Sequence, residues 1–459
     1  MRPSGWVSRG CKFRYGMAAL ATAVLLAGCS SSTLTSSSTK TSSSTKTASA
    51  ANTKTGVGVT ATTVTLGAYY TTGRATTSRG VGIKGQGYPQ GLREAQGVAA
   101  YINAHGGIAG RHLNVVYFRG LDKPVSSSAQ GVSACDFFTE TNHVLAVLDP
   151  GSPPASAMVT CLAAHNTPLV TANDAVPNQA YFNQYRNIYY SPEGMALNQI
   201  AVSYVQGLKS EGFFGSPGAK YGVITANVPL WETVTKTNLL PALSKIGVKP
   251  LAVEYVAGLN MSGFAVHMPS VVLRFKQLGI NHVLWIEHGS GIGVNFIQDA
   301  ASQKYFPAEG IYSYNYPRIL RINHSAADLA NTEGIGFVQY DDVASAQMPP
   351  YNASMNQCLS IMHAVGETKF APQDLYTYGG WCDTYFFTQA AAQKAPTFTA
   401  TGFREGVDSL GTSWQSAVTQ YTSFGPGKHW GVDGYRPLKF EMNCKCYQYT
   451  GPLVKLHLK

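Results

Sequence analysis

Strand-like and helix-like segments alternate along this chain in two successive series, and that order constrains the fold more than any other feature. A run of β-branched and apolar residues at 64–69 predicts a strand, and apolar residues at helical spacing over 92–102 predict the helix after it. The series restarts near residue 191 and continues to about 338. Strands separated by single helices predict βαβ units and parallel sheets. The sequence therefore predicts an α/β fold class with two doubly wound parallel-sheet lobes.

The remaining elements are predicted from the same two periodicities. Strands are expected at 113–118, 144–148, 168–171, 221–225, 251–256, 282–286, 311–313 and 334–338. Helices are expected at 126–141, 154–165, 191–208, 231–246, 269–278, 295–303, 351–364 and 373–394. Ser191-Pro192-Glu193 predicts the start of one helix, since it combines an N-cap residue, a first-turn proline and an acid. Because ligands of parallel sheets bind beyond the carboxyl ends of strands, the expected site is a cleft between the lobes.

Residues 1–28 predict an export signal rather than part of the fold. Four basic residues within the first 14 positions precede an apolar run at 17–27. That run is about half the ~20 residues that a membrane-spanning helix needs. It ends in Leu26-Ala27-Gly28-Cys29, which resembles the bacterial lipobox and implies lipidation of Cys29. The alternative is an ordinary signal cleaved elsewhere, which leaves Cys29 as a spare thiol.

Residues 29–58 predict a flexible tether. Eighteen of the 26 residues from 30 to 55 are Ser or Thr, and Thr-Ser-Ser-Ser-Thr-Lys occurs at 35–40 and again at 41–46. Such a tract cannot bury enough apolar surface to offset the entropy of ordering. No later segment of the sequence is long and apolar enough to predict a membrane-spanning helix. We therefore expect an extracytoplasmic body anchored to the bacterial cell membrane by an N-terminal lipid.

The positive charge of the chain lies mostly in this leader. The whole sequence has 34 basic and 24 acidic residues, a formal charge of +10, but its first 60 residues hold seven bases and no acid. The remainder is nearly neutral, which argues against a surface that follows a nucleic-acid backbone. No nucleic-acid partner is therefore expected.

Six cysteines remain besides Cys11 and Cys29, and an even number in an exported chain predicts three disulfides. Six cysteines allow 15 pairings, and the sequence does not choose between them. Pairing between sequence neighbours is the simplest hypothesis, which gives Cys135–Cys161, Cys358–Cys382 and Cys444–Cys446. No Cys-x-x-Cys motif or His pair at ligand spacing accompanies them, so neither a metal nor a cofactor is expected.

Several segments resemble the leucine/isoleucine/valine-type solute-binding proteins of ABC importers. Residues 59–67 resemble the opening strand of that family, and residues 147–152 resemble its Val-x-Gly-Pro-x-Ser segment. Residues 101–113 read Tyr-Ile-Asn-Ala-His-Gly-Gly-Ile-Ala-Gly-Arg-His-Leu and resemble its Ile-Asn-x-x-Gly-Gly-Ile-x-Gly-Arg signature. The similarity continues in order to about residue 440. It implies a type I periplasmic binding protein fold, in which two lobes joined by three crossovers close on a small ligand.

The resemblance also implies an organisation and a role. Lobe one is expected to comprise 59–188 plus 342–420, and lobe two 189–341 plus 421–459. The chain is expected to be a monomer without catalytic activity that captures a small solute, either amino-acid-like, an amide or another small organic molecule. Its expected partners are that solute, an ABC permease with its ATPase subunits, and the membrane that holds the lipid anchor.

In lobe one, the strand ends around residue 151 are the expected ligand contacts. Gly151 and Ser152 join a strand to a helix start, where free backbone N–H groups and a hydroxyl suit a carboxylate. In the resembled family this loop and the residues after the next strand hold the ligand's acid group. The matching positions are Thr171 and Ala172, with Asn173 close by, although Ser152 serves equally as an N-cap. Tyr69, Tyr70 and Thr71 end the first strand and either contact the ligand or cover the core.

In lobe two, the expected contacts again follow strands. They are Asn227, Trp231, Glu287, His288, Tyr312 and Tyr314. Trp231 could equally pack in the core, and Glu287 could be a solvated strand-end acid. Amino-acid binders of the resembled family carry an acid for the α-ammonium near Tyr314, and this chain lacks it there unless Glu287 substitutes. The departure puts an amino-acid ligand in doubt, and the aromatic side chains suit an aromatic or apolar molecule.

Two other functions are compatible with an α/β sequence. Residues 80–85 fit the dinucleotide pattern G-x-G-x-x-G of a Rossmann-like enzyme, but they lie about ten residues past the strand end. A sensor that uses the same fold to report a ligand to a signalling partner is the second alternative. The sequence separates a sensor poorly from an importer receptor.

Overall fold

The strands that the structure describes form two separate sheets. The computed structural model describes residues 55–70, 91–120, 127–151, 156–172, 177–257, 261–287 and 289–458. The first sheet has the order β2-β1-β3-β4-β5, and all its pairings are parallel. Its strands are β1 Thr63–Tyr70, β2 His112–Arg119, β3 Ala146–Asp149, β4 Leu169–Thr171 and β5 Tyr189–Tyr190. Every residue of β3 and β4 is buried, as expected for strands covered on both faces by helices.

The second sheet has the order β12-β11-β10-β9-β8-β6-β7, with β13 paired to β11. Its parallel part is β6 Tyr221–Asn227, β7 Ala252–Ala257, β8 His282–Ile286, β9 Ala308–Tyr312 and β10 Thr332–Gly336. The antiparallel part is β11 Gly434–Glu441, β12 Cys446–Tyr449 and β13 Val454–Lys455. This sheet is therefore completed by the C-terminal end of the chain, which the strand–helix alternation did not predict.

Helices cover both sheets. In chain order they are α1 Leu92–Ala104, α2 Ser127–Asp136, α3 Ser156–Ala164, α4 Gln179–Gln184, α5 Leu197–Ser210, α6 Pro229–Val234, α7 Leu240–Lys245, α8 Met261–Leu278, α9 Gly291–Ser302, α10 Pro317–Asn323, α11 Ala326–Leu329, α12 Gln339–Asp342, α13 Ala353–Ala364, α14 Pro372–Lys394 and α15 Ala400–Asp408. Although they come late in the chain, α13 and α14 pack with α1, and α14 also contacts β3 and β4 of the first sheet. No helix within the described ranges combines the length and apolarity that a bilayer-spanning segment requires.

Three helix starts differ from the prediction by four residues or more, and one of them is the helix expected from residue 295, which begins at Gly291. The helix expected at Ser191 begins at Leu197, so the prediction of a start at Ser191-Pro192-Glu193 is wrong. Ser191 instead donates its backbone N–H to the carbonyl of His429 at 2.9 Å. That partner lies 238 residues away, and no local pattern could reveal it. The helix expected from Pro269 begins at Met261 and contains Pro269 in its interior.

The signature at 101–113 forms a tight turn between α1 and β2. Asn103 accepts the backbone N–H of Leu113 at 2.7 Å and donates to its carbonyl at 2.9 Å, so one side chain ties the helix to the strand. Gly107 has a φ of +70°, and a Cβ there would collide with the carbonyl of Arg111. The Arg111 guanidinium is buried and donates to the carbonyl of Thr60 at 2.8 Å. The signature therefore builds the fold and does not itself contact the strand ends where a ligand is expected.

The three predicted disulfides are present. Cys135–Cys161 joins α2 to α3, and Cys358–Cys382 joins α13 to α14. Cys444–Cys446 closes the turn between β11 and β12. The first two bonds link helices that pack against each other, and the third links neighbouring strands of the second sheet.

Three segments connect the parts built on the two sheets, and they are named here by chain order. Crossover one is 191–196, between β5 and α5. Crossover two is 337–352, between β10 and α13, and crossover three is 409–433, between α15 and β11. The exact lobe boundaries expected from the sequence stay a prediction.

Candidate functional site

The predicted ligand contacts lie at or just after the carboxyl ends of parallel strands. Because parallel strands end at the same edge of a sheet, β1, β3 and β4 gather one group and β6, β8 and β9 gather the other. The described members are Tyr69, Tyr70, Gly151, Thr171, Ala172, Asn227, Trp231, Glu287, Tyr312 and Tyr314. Thr71, Ser152, Asn173 and His288 lie outside the described residues, as does Cys29.

The two tyrosines that end β1 are half-buried. Tyr69 stacks on Phe118 with ring centroids 5.9 Å apart, and its hydroxyl accepts a hydrogen bond from Gln130 Nε2 at 2.9 Å. Side chains alternate across a strand, so Tyr70 faces the opposite side of the sheet from Tyr69. Gly151 is exposed two residues after β3 ends. This sheet edge thus presents the hydrogen-bonded ring of Tyr69, the ring of Tyr70 and the exposed backbone of Gly151.

Thr171 and Ala172 are fully buried at the end of β4. The Thr171 hydroxyl donates to the carbonyl of Tyr190 on the neighbouring strand at 3.3 Å. Ala172 donates its backbone N–H to the carbonyl of Asp149 at 3.3 Å. Both residues therefore contribute to the packing of the strand ends, and the Thr171 hydroxyl is already engaged.

Asn227 and Trp231 differ in exposure although both follow β6 closely. Asn227 is exposed at the last position of the strand. Trp231 lies in α6, is 6% exposed and belongs to the hydrophobic core. Of the two, Asn227 has the side chain that a ligand could reach without rearrangement.

Glu287 is buried, and its carboxylate faces the first turn of α9. Its two oxygens accept backbone N–H groups of Ile292 at 2.8 Å and Gly293 at 2.9 Å, which are unsatisfied donors of that helix. Burial raises the pKa of the Glu287 carboxyl to about 8, and these hydrogen bonds oppose the shift only in part. At neutral pH the group is thus largely protonated, and a neutral carboxyl holds an ammonium weakly. The arrangement is that of a helix cap.

Tyr312 and Tyr314 connect the ends of β8 and β9 to crossover one. The Tyr312 hydroxyl donates to the carbonyl of Glu287 and accepts its backbone N–H at 3.0 Å. The Tyr314 hydroxyl accepts the backbone N–H of Met195 at 3.3 Å, and its ring meets the Phe337 ring edge-on at 5.0 Å. Both tyrosines are buried. The structure therefore brings Glu287, Tyr312 and Tyr314 together, and their hydrogen bonds connect the ends of β8 and β9 to crossover one.

Sequence reasoning missed a group of buried polar side chains on the crossovers and on α14. Glu193 and Asp383 are each 2% exposed, and Tyr340 and Ser416 are buried beside them. One signal was present: Asp383 interrupts the apolar run at 381–387, and an acid in a buried helix requires polar partners. The partners themselves come from the crossovers, far from Asp383 in sequence, and could not be predicted.

The described residues offer hydroxyls, an amide, aromatic rings and open backbone at the strand ends. Within the described ranges, no group of three or more His, Cys, Asp or Glu side chains is placed to hold a metal ion. Hydrogen bonding and apolar burial suit reversible binding of a small organic molecule.

Comparison with solved structures gives the fold. A solute-binding protein of an ABC transporter from Rhodopseudomonas palustris HaA2, in complex with p-hydroxybenzoic acid, is 14% identical with a TM-score of 0.59, covering 86% of this chain and 97% of its own. A branched-chain amino acid ABC transporter protein from Thermus thermophilus with bound valine is 13% identical with a TM-score of 0.59, covering 86% and 96%. A fatty acid ABC transporter substrate-binding protein from Thermomonospora curvata is 16% identical with a TM-score of 0.58, covering 88% and 93%. The predicted type I periplasmic binding protein fold is thereby confirmed.

The sequence identities to these structures are too low to assign the chain to a family, but a family model does assign it. None of the curated proteins matches the chain. The model described as periplasmic binding protein matches residues 82–440, which is most of the sequence and includes strands of both sheets. The chain therefore belongs to the periplasmic binding protein family and is a solute-binding protein rather than an enzyme.

Proposed function

We propose that this protein captures a small organic solute between two lobes by closure about the crossovers and delivers it to an ABC permease. The observation that carries the proposal is the pair of mainly parallel sheets, each with several parallel strands ending at one edge, connected by three separate segments. Connections of this kind permit hinge closure around a ligand. Residues outside the described ranges, including Ser152 and Asn173, would complete the contacts.

The proposed solute carries a carboxylate and an apolar or aromatic body, and it lacks an α-ammonium group. Exposed backbone at Gly151 precedes α3, which starts at Ser156, and a helix N-terminus favours an anion. Tyr70 supplies aromatic surface on the same sheet edge. The carboxyl of Glu287 is the acid that would pair with an ammonium, but it is already hydrogen-bonded to the first turn of α9. The solutes named for the three similar structures include two without an amino group.

The proposed location is outside the cytoplasmic membrane. Lipidation at Cys29 and a Ser/Thr-rich tether at 29–58 would hold the binding body near the permease and its ATPase subunits. Acyl chains contribute roughly 0.8 kcal/mol per buried CH₂, so more than one chain would anchor it stably. Metabolic labelling with a palmitate analogue tests this, and labelling that persists in Cys29→Ala would contradict it.

The solute proposal is tested with two molecules that differ in a single group. 3-Phenylpropanoate and phenylalanine share a carboxylate and a ring, but only phenylalanine carries an ammonium. We expect titration calorimetry to show binding of 3-phenylpropanoate at least tenfold tighter, since the ammonium would be desolvated without a carboxylate partner. Tighter binding of phenylalanine would show an ammonium site and contradict the proposal.

The capture proposal has its own test, which needs no assumption about the solute. Mass spectrometry of molecules released from purified, denatured protein should identify the bound compound. Added back to dialysed protein, that compound should reduce the radius of gyration measured by X-ray scattering, because closure makes the molecule more compact. An unchanged radius at saturation would count against closure.

A further inference from the structure

The third disulfide differs from the other two in the length of chain that it encloses. Cys444 and Cys446 are separated by a single residue, whereas the cysteines of the other two bonds are 24 and 26 positions apart. A disulfide and the fold stabilise each other to the same extent, and in the chain-entropy model this extent grows with the length of the closed loop. The fold therefore protects Cys444–Cys446 from reduction less than it protects the two longer loops.

The turn that carries this bond holds a lysine in a backbone conformation that lysine disfavours. The Cα atoms of Cys444 and Cys446 lie 5.2 Å apart, closer than the ~6.6 Å between alternate residues of an extended strand. Lys445 lies between them with a φ of +53°, in the left-handed region that favours Gly or Asn. The closed ring keeps Lys445 near this conformation, and reduction releases it. Backbone strain in the turn therefore favours the reduced form.

One sulfur of the pair is open to attack from outside. Cys444 is half-buried in the turn, whereas Cys446 is 4% exposed at the start of β12. β12 lies at one end of the strand order of the second sheet, and within the part of the chain that the structure describes it pairs only with β11. Another protein can therefore approach the turn along an open sheet edge. Attack by a thiolate is expected at Cys444 Sγ.

A side-chain amide faces both sulfurs. Gln448 Nε2 lies 3.2 Å from Cys444 Sγ and 3.7 Å from Cys446 Sγ. When the bond opens, an N–H in this position can donate to a thiolate and so favour the charged form. Within three positions of the pair the sequence has one cation, the exposed Lys445, and one acid, Glu441. The turn thus combines an amide directed at the sulfurs with balanced charge.

The other two disulfides lack this combination. Cys358 and Cys382 are buried between two packed helices, where an external thiolate does not reach them in the folded protein. Cys161 is half-buried, but a carboxylate oxygen of Asp136 lies 4.0 Å from its sulfur. A negative charge there repels an approaching thiolate and disfavours a thiolate as leaving group. The chain therefore has two protected disulfides and one accessible disulfide.

We propose that Cys444–Cys446 is a reversible thiol–disulfide exchange site whose partner is an extracytoplasmic protein dithiol of the Cys-x-x-Cys type. The short ring selects a dithiol. After attack on Cys444, the freed Cys446 thiolate is two residues away and can close the ring again, which expels a monothiol. A second thiol on the partner competes by attacking the partner's side of the mixed disulfide. The inference rests on the proposed function only for the location outside the cytoplasmic membrane, where disulfides persist.

The exchange transfers two electrons and two protons from the partner dithiol to the disulfide. The partner's first thiolate attacks Cys444 Sγ, the Cys444–Cys446 bond breaks, and its electron pair leaves on Cys446 Sγ, which takes a proton from water. The partner's second thiolate then attacks the partner sulfur of the mixed disulfide and expels Cys444 as a thiolate, which is also protonated. The products are a dithiol in this chain and a disulfide in the partner. Each step is reversible, so an oxidised partner closes the bond again.

The first test compares the three disulfides within one protein, so that the two longer loops are internal controls. Folded wild type is treated with dithiothreitol, quenched with N-ethylmaleimide and analysed by peptide mass spectrometry. We expect Cys444–Cys446 to open at least tenfold faster than either longer-loop disulfide. A smaller ratio would overturn the exchange site, as would a pair of free thiols that oxidised dithiothreitol does not close.

The second test asks whether a protein dithiol is required. A thioredoxin is compared with its variant in which the second active-site cysteine is replaced by serine, with the same quench and analysis. We expect the thioredoxin to reduce Cys444–Cys446 and the variant to give at least tenfold less dithiol. Equal reduction by the two would overturn the requirement for a dithiol, and no reduction by thioredoxin would overturn the protein partner.

The third test examines the amide with variants of one turn. Gln448→Ala should slow reduction by thioredoxin at least threefold, and Gln448→Glu should slow it further, because a carboxylate repels the thiolate. Asn443→Ala changes an exposed neighbour in the same turn and should keep the wild-type rate. Equal rates for all three variants would overturn the assignment of Gln448 to the site. No solute is used in these tests, so their failure leaves solute capture standing, and failed capture leaves their results intact.

Discussion

At the scale of single residues, the strand-end position of Glu287 was predictable, but its role was not. The sequence places it after a strand, where a ligand contact is expected. The structure shows that α9 begins four residues later and takes both carboxylate oxygens, so the side chain turns toward its own loop. The sequence suggested that Glu287 is either an ammonium partner or a solvated acid, and neither interpretation included a helix cap.

The cap makes a prediction that a ligand role would not. Glu287→Gln should destabilise the fold by about 1 kcal/mol at pH 6, because the amide can accept only one of the two N–H groups. The stability from a raised carboxyl pKa is full below its ordinary 4.5 and is lost as the pH rises through about 8. The deficit of E287Q in urea unfolding should therefore shrink or reverse at pH 9. A solute affinity reduced tenfold at pH 6 would instead place Glu287 in the binding site.

At the scale of elements, most strands and helices of the two series could be predicted because they bury apolar residues at their own periodicity. The strands at 434–441 and 446–449 could not, since they join the second sheet as antiparallel neighbours and interrupt the βαβ order. The prediction of a helix start in crossover one was wrong for a related reason. Ser191 and Glu193 match a helix-start pattern, yet their interaction partners lie in crossover three and α14. Long-range pairing is invisible to local spacing.

The contact between crossovers one and three can be tested with two glycines of the same segment. A Cβ at Gly431 would collide with the carbonyl of Pro192, whereas nothing lies within 4 Å of a Cβ at Gly425. We expect Gly431→Ala to destabilise the fold by roughly 1–3 kcal/mol through forced backbone movement. Gly425→Ala should be neutral or slightly stabilising, because it only restricts the unfolded chain. Equal stabilities of the two variants in urea unfolding would show that the crossovers separate at no cost.

At the scale of the whole molecule, hinged closure requires each covalent link to stay within one moving part. Cys358–Cys382 joins α13 to α14, which pack together beside the first sheet, and its closed loop spans 24 residues. Removing it with the double change Cys358→Ala and Cys382→Ala should cost about 3 kcal/mol of stability, mainly by freeing the unfolded chain. Solute affinity and the scattering change on solute addition should remain as in wild type, because removal of a bond within one moving part leaves the connections between the lobes unchanged. A variant that is stably folded yet no longer contracts with solute would show that this bond spans moving parts, and the division of the chain at the three crossovers would have to be redrawn.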